Sequence, residues 1–162
     1  MADQILKKRL SILRHGEALG KGLNLDIGRK LSPRGKKQIT LLGEELKAAN
    51  FSPELILCSS AERTKQTLKY LIPIVKEKQV VRFEEVIYEA TLDDLLELLL
   101  QVDAGVSHVL LVGHNPSVST LAAYLAHENF IGMSPGQLIQ LDLTVDDWRW
   151  ISKGTGIILN HA

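Results

Sequence analysis

The chain has 162 residues, and its 19 basic side chains balance 19 acidic ones. A zero formal charge argues against a nucleic-acid-binding surface, which needs a basic excess, and the Lys7-Lys8-Arg9 run reads as a solvated lead-in to the first strand. No apolar stretch reaches the length of a membrane span, the start is polar where a secretion signal is apolar, and Cys58 has no second cysteine to pair with. The expectation is one soluble cytoplasmic domain, residues 1–162, large enough to bury a real core.

Apolar runs alternate with helical patterns, the signature of a layered α/β domain. Residues 9–14 read as a strand, and the glycine-rich polar stretch 16–31 as a loop. Ser32-Pro33 reads as a cap and first residue of a helix running to about Ala49, with Leu41, Leu42, Leu46 and Ala49 inward. A second strand spans Pro53 to Cys58. The helix from Ala61 toward Lys78 meets Pro73, so a kink or a stop near Leu71 is expected.

Val80 to Val86 reads as the third strand, and Thr91 starts a leucine-rich helix to about Val102 whose Asp93 and Asp94 favour its positive end. Ser107 to Val112 is the fourth strand, and Pro116 opens a helix ending near His127. Gln137 to Leu143 alternates polar with apolar, Asp146-Asp147 marks a turn, and Trp148-Arg149-Trp150-Ile151 reads as the return strand of a terminal hairpin. The expected fold is a three-layer α/β/α sandwich. Its central sheet is mostly parallel, with antiparallel edge strands from the tail.

Two of the apolar strands end in a histidine and a turn: Arg14-His15-Gly16-Glu17 and Gly113-His114-Asn115-Pro116. In open α/β sheets the site lies outside the carboxyl ends of the strands. Imidazole beside guanidinium at such an edge suits a phosphoryl group, since arginine holds its oxygens bidentately and neutral histidine can attack phosphorus. Arg63, in the first turn after Ser59-Ser60, adds a cation where free N–H groups also favour anions.

Two rivals are weaker. A cysteine-based phosphatase loop needs five residues between its cysteine and arginine, and only four separate Cys58 from Arg63, so Cys58 reads as a small buried hydrophobe. A metal site lacks ligand spacing around His15 and His114, and the arginines would repel a cation. His108, His127 and His161 read as bland surface residues.

Leu13-Arg14-His15-Gly16-Glu17-Ala18, Ser59-Ser60 with Arg63 and Gln66-Thr67, and Gly113-His114-Asn115-Pro116 together resemble the histidine phosphatase superfamily. The short chain and the Arg29 to Gly35 segment are similar to its SixA-type phosphohistidine phosphatases. The resemblance implies that His15 is the nucleophile that becomes phosphorylated, that Arg14, Arg63 and His114 bind the phosphate, and that no metal or cofactor is required. Thr64 stands where the family often has alanine.

Many members of the superfamily use a carboxyl group to protonate the leaving oxygen. Glu89, in Tyr88-Glu89-Ala90, is the best-placed candidate, and Glu17 the second. Phosphohistidine expels imidazole, a far better leaving group than alkoxide, and no segment is long enough for a large lid. The expected partner is therefore a protein carrying phosphohistidine. A small phosphorylated substrate is the alternative, and a non-catalytic phosphoprotein-binding module is an alternative of another class. No nucleic acid or membrane partner is expected.

Overall fold

The computed structural model describes residues 7–23, 25–71 and 78–161. It contains strands β1 (Lys8–Arg14), β2 (Leu55–Ser59), β3 (Val80–Glu84), β4 (His108–Gly113), β5 (Leu138–Leu143) and β6 (Gly156–His161). Helices α1 (Pro33–Ala48), α2 (Glu62–Tyr70), α3 (Leu92–Leu100) and α4 (Ser117–Ala126) connect them. One sheet runs in the order β3-β2-β4-β1-β5-β6. The first four strands are mutually parallel, and β5 and β6 are antiparallel at the edge.

The sandwich follows from strands that are apolar on both faces, as strands covered on two sides must be. Leu55 and Leu57 of β2 join Leu95, Leu99, Leu121 and Leu125 of α3 and α4. Between them, Ile56 and Cys58 point the other way, into Ile39, Leu42, Leu46 and Leu68 of α1 and α2. Cys58 is thus the buried hydrophobe its sequence position implied, and burial raises its thiol pKa to about 12.

Local signals act as expected at several ends. Ser32 Oγ accepts from the Gly35 amide at 3.0 Å, with Pro33 at the first helical position. Thr91 and Asp94 form a reciprocal capping box on α3. The helix after β2 stops at Tyr70; Pro73 and the rest of its predicted length to residue 77 lie outside the described residues.

Four expectations need correction. The inward stripe of α1 is Gly35, Ile39, Leu42, Gly43 and Leu46, so Leu41 and Ala49 face water, because the buried positions follow an i, i+4, i+7, i+11 row that excludes both. Lys8 is not solvated: it is 1% exposed, and its Nζ donates to the carbonyls of Ala104 and Val106.

Trp148–Trp150 is a 3-10 turn and not a strand. The Trp148 ring is fully buried and its Nε1 donates to Val106 O at 2.7 Å, which holds the segment against the core. The hairpin partner of β5 is β6. His108 is half-buried, with Nε2 at 2.8 Å from Ser11 Oγ and its ring edge-on to Phe51, so it is a packed structural group. His127 is exposed and ends α4 with a positive φ, and the side chain of His161 lies outside the described residues.

Candidate active site

Strand register builds the site. Arg14 of β1 pairs level with Gly113 of β4, so His15 and His114 leave adjacent strand ends at the same height. Their ring centroids lie 5.2 Å apart. Ser59, the last residue of β2, brings its hydroxyl to 2.8 Å from His114 Nε2. Arg63, one residue into α2, reaches the same edge, and its Nε lies 3.3 Å from His15 Nε2.

The His15 loop is clamped to both helices of its face. The Gly16 amide donates to Thr67 Oγ1 of α2 at 3.1 Å. A Cβ on Gly35 of α1 would sit 2.1 Å from the Glu17 carbonyl oxygen, so only glycine permits this approach. On the third side, the Gly136 amide donates to the His15 carbonyl at 2.9 Å.

A hydrogen-bond partner assigns the His15 proton. A carbonyl only accepts, so the 2.7 Å contact to Gly16 O places a proton on His15 Nδ1. Nε2 is then bare, and the Arg63 Nε–H donates to it. Burial, reinforced by Arg63, Arg14 and Arg29, lowers the His15 pKa to about 4. Burial and the neighbouring His15 lower that of His114 to about 3. Both rings are neutral near pH 7.

Ser59 Oγ accepts the Ala61 amide at 3.2 Å and meets His114 Nε2 with its own proton or its second lone pair. His114 Nδ1 and Arg14 Nε are buried without a hydrogen-bond partner among the described residues. Buried polar atoms are rarely left unpaired in native structures, and an arginine nitrogen, which only donates, suits an anion.

Asp26 organises the open side. Its Oδ2 accepts from Tyr88 OH at 2.5 Å and lies 3.2 Å from Arg63 Nη2, while Oδ1 pairs with Arg29 at 3.1 Å. The tyrosine hydroxyl, then the arginines, hold the Asp26 carboxyl well below the usual carboxylate range. Tyr88 in turn stands edge-on to His114 and under the Arg63 guanidinium. Asp26, Arg63, Tyr88, Glu89, His114 and Asn115 line a cavity of about 310 Å³.

The structure therefore gathers Arg14, His15, Arg63 and His114, and sets Glu89 on the exposed rim of the same cavity. Glu17 does not join them: its Oε1 accepts from Ser32 Oγ at 2.8 Å and its Oε2 lies 3.7 Å from Arg34, at the start of α1. Sequence reasoning missed Asp26 and Tyr88. The only available signals were an acidic residue in a long polar loop and an aromatic one preceding Glu89.

Residues 10–95 match the model of the histidine phosphatase superfamily, branch 1. The chain belongs to that superfamily. An uncharacterised Mycobacterium tuberculosis protein is 32% identical over 114 residues, 70% of each chain. Among solved structures, SixA from Nakamurella multipartitia aligns with a TM-score of 0.84 at 23% identity, over 96% of this chain and 95% of that one.

The protein histidine phosphatase SixA complexed with tungstate aligns at 0.80 and 22%, over 94% and 95%. A mycobacterial glucosyl-3-phosphoglycerate phosphatase aligns at 0.65 and 19%, over 94% and 97%. At these identities the structural likenesses show a shared fold, which is of the SixA type. Membership of the superfamily supports a phosphatase hydrolase as the coarse activity. No helix among the described residues is long and apolar enough to cross a membrane.

Proposed function

We propose that the chain is a metal-independent phosphatase that acts through a phosphorylated His15 and removes phosphate from phosphohistidine on proteins. The observation that carries this reading is the His15 tautomer: Nδ1–H is spent on Gly16 O, and the bare Nε2 is held by Arg63, which itself lines the cavity. A nucleophile needs that lone pair, and the depressed pKa keeps it available.

In the first step His15 Nε2 attacks phosphorus, and the P–N bond to the substrate imidazole breaks. Arg14, Arg63 and His114 stabilise the charge on the three equatorial oxygens. A phosphohistidine protonated at its free ring nitrogen leaves as neutral imidazole and needs no proton from the enzyme. Water then attacks the phosphoenzyme, the P–N bond to His15 breaks, and phosphate departs with the bare Nε2 restored.

The carboxylates support this substrate class. Asp26 is held ionised by Tyr88 and two arginines and is a poor acid. Glu17 is turned to α1. Glu89 alone lines the cavity as a possible proton donor, from an exposed position. Alkyl esters must expel an alkoxide and need a well-placed acid. A second reading, hydrolysis of small phosphate esters with Glu89 as acid, draws on that same position in the wall.

The test incubates the protein and His15→Ala with a phosphohistidine-bearing protein, an alkyl phosphate and an aryl phosphate in the presence of a chelator. Phosphohistidine turnover that survives chelation, exceeds alkyl-ester turnover and vanishes in His15→Ala is the expected result. Preference for the alkyl ester, lost in Glu89→Gln, would move the assignment to the second reading.

A further inference from the structure

Two segments that contribute to this site also carry apolar side chains left in water. Leu23 is fully exposed, Leu25 is 80% exposed and Ile27 41%, all in the segment between β1 and α1. That segment is tied to the cavity through Asp26, which sits between Leu25 and Ile27 and binds Arg63. It is also braced at its base by the Ala18–Leu31 bridge and by Arg29 Nε donating to Leu19 O at 2.8 Å.

Another wall of the cavity is Asn115 and Pro116. The same two residues line an adjoining cavity of about 240 Å³ with Phe130, Ile131 and Gly132. Phe130 is 82% exposed, and its segment is anchored where Met133 O accepts from both Arg14 and Asn115. Single exposed apolar residues are ordinary. Several on two segments tied to one cavity mark a recognition surface.

Resting on the phosphatase reading above, we propose that this rim receives the apolar surface surrounding a phosphohistidine on a partner protein. A small phosphorylated metabolite is polar and would sit within the cavity, leaving Leu25 and Phe130 in water. A bilayer is flat, and the chain's zero net charge gives it no overall attraction to an anionic one. A protein presenting a phosphorylated imidazole among leucines or valines meets both features at once: its phosphoryl group reaches the arginines, and its flanks cover the rim.

The experiment uses two phosphohistidine peptides of equal length, one flanked by leucine and valine and one by serine. These are assayed with the full chain, Leu25→Ser and Phe130→Ser, both of which alter exposed positions. Partial burial of one such side chain is worth about tenfold in affinity. The expected result is a kcat/KM about tenfold higher for the apolar peptide, carried by KM. That advantage should shrink toward unity in each variant while turnover of the serine peptide is unchanged.

Equal rates on both peptides by the unaltered chain, or variants that slow both equally, would overturn the rim assignment while leaving the phosphatase reading intact. Failure to hydrolyse either peptide would overturn both. Binding to anionic vesicles that Leu25→Ser abolishes would assign the rim to a membrane instead.

Discussion

Two buried histidines and a half-buried one make this fold sensitive to mild acid. Burial lowers His15 and His108 to about 4 and His114 to about 3, from an ordinary value of 6.5. The unfolded chain therefore binds more protons than the native one between pH 6.5 and 4, and stability must fall as pH drops through that window. Moving from pH 7 to 5 costs about 2 kcal/mol for a histidine shifted from 6.5 to 4, and at most about 6 kcal/mol for the three together.

The aspartates with lowered values add nothing here, because their unfolded value of 3.8 lies below the window. Urea unfolding at the two pH values measures the loss, expected as a midpoint drop of about 2 M. His108→Gln removes one titrating group far from the cavity and should shrink the loss by about 2 kcal/mol. A midpoint that stays within about 0.5 M would refute the reasoning. Imidazole ¹⁵N spectra give the matching site measurement: at pH 5 about 90% of His15 should remain neutral, protonated on Nδ1, against about 3% for a free imidazole.

Asp26→Asn removes the carboxylate facing Arg63, a loss of about 2 kcal/mol for a charged hydrogen bond. It should lower kcat/KM on phosphohistidine about 30-fold, with no such fall if Arg63 holds its place unaided. Gly35→Ala drives a Cβ into the Glu17 carbonyl; displacement of α1 should cost about 1–3 kcal/mol in urea unfolding. Cys58, buried with its thiol near 12, should resist iodoacetamide in the native chain and react after unfolding. Rapid native alkylation would contradict its burial.

What was legible in the sequence is what strand ends carry. His15 and His114 each stand one residue past an apolar run, so a parallel register places them together whatever the loops do. Arg63 was legible because a helix start has few options for its first turn. Asp26 and Tyr88 were not, because they meet only when the segment after β1 folds back over the segment after β3, a path no local pattern encodes. Trp148 misled for a related reason. Trp-Arg-Trp-Ile alternates like a strand, and only the core's room for a buried indole turns it into a 3-10 turn. His108 and Lys8 carry charge-bearing chemistry but take packed structural positions, because Ser11 and the carbonyls of the α3–β4 loop satisfy them.

The distribution of charge narrows the reaction further. Arg14 and Arg63 add two positive charges beside two neutral imidazoles, and the carboxylate that faces Arg63, Asp26, is already divided between Arg63, Arg29 and the Tyr88 hydroxyl. A dianionic phosphoryl group fits this excess and would complete the bond left open at Arg14 Nε. The same excess opposes a protonated His15, so the nucleophile stays bare while the substrate arrives. Among the described residues no buried carboxyl is poised to give a proton, so the burden of leaving falls on the substrate itself, and a nitrogen-linked phosphoryl group bears it more readily than an alkyl ester. Glu89→Gln separates the cases: phosphohistidine turnover should change less than twofold, since a leaving imidazole needs no acid, whereas a loss of about a hundredfold would make Glu89 the acid of an ester hydrolase.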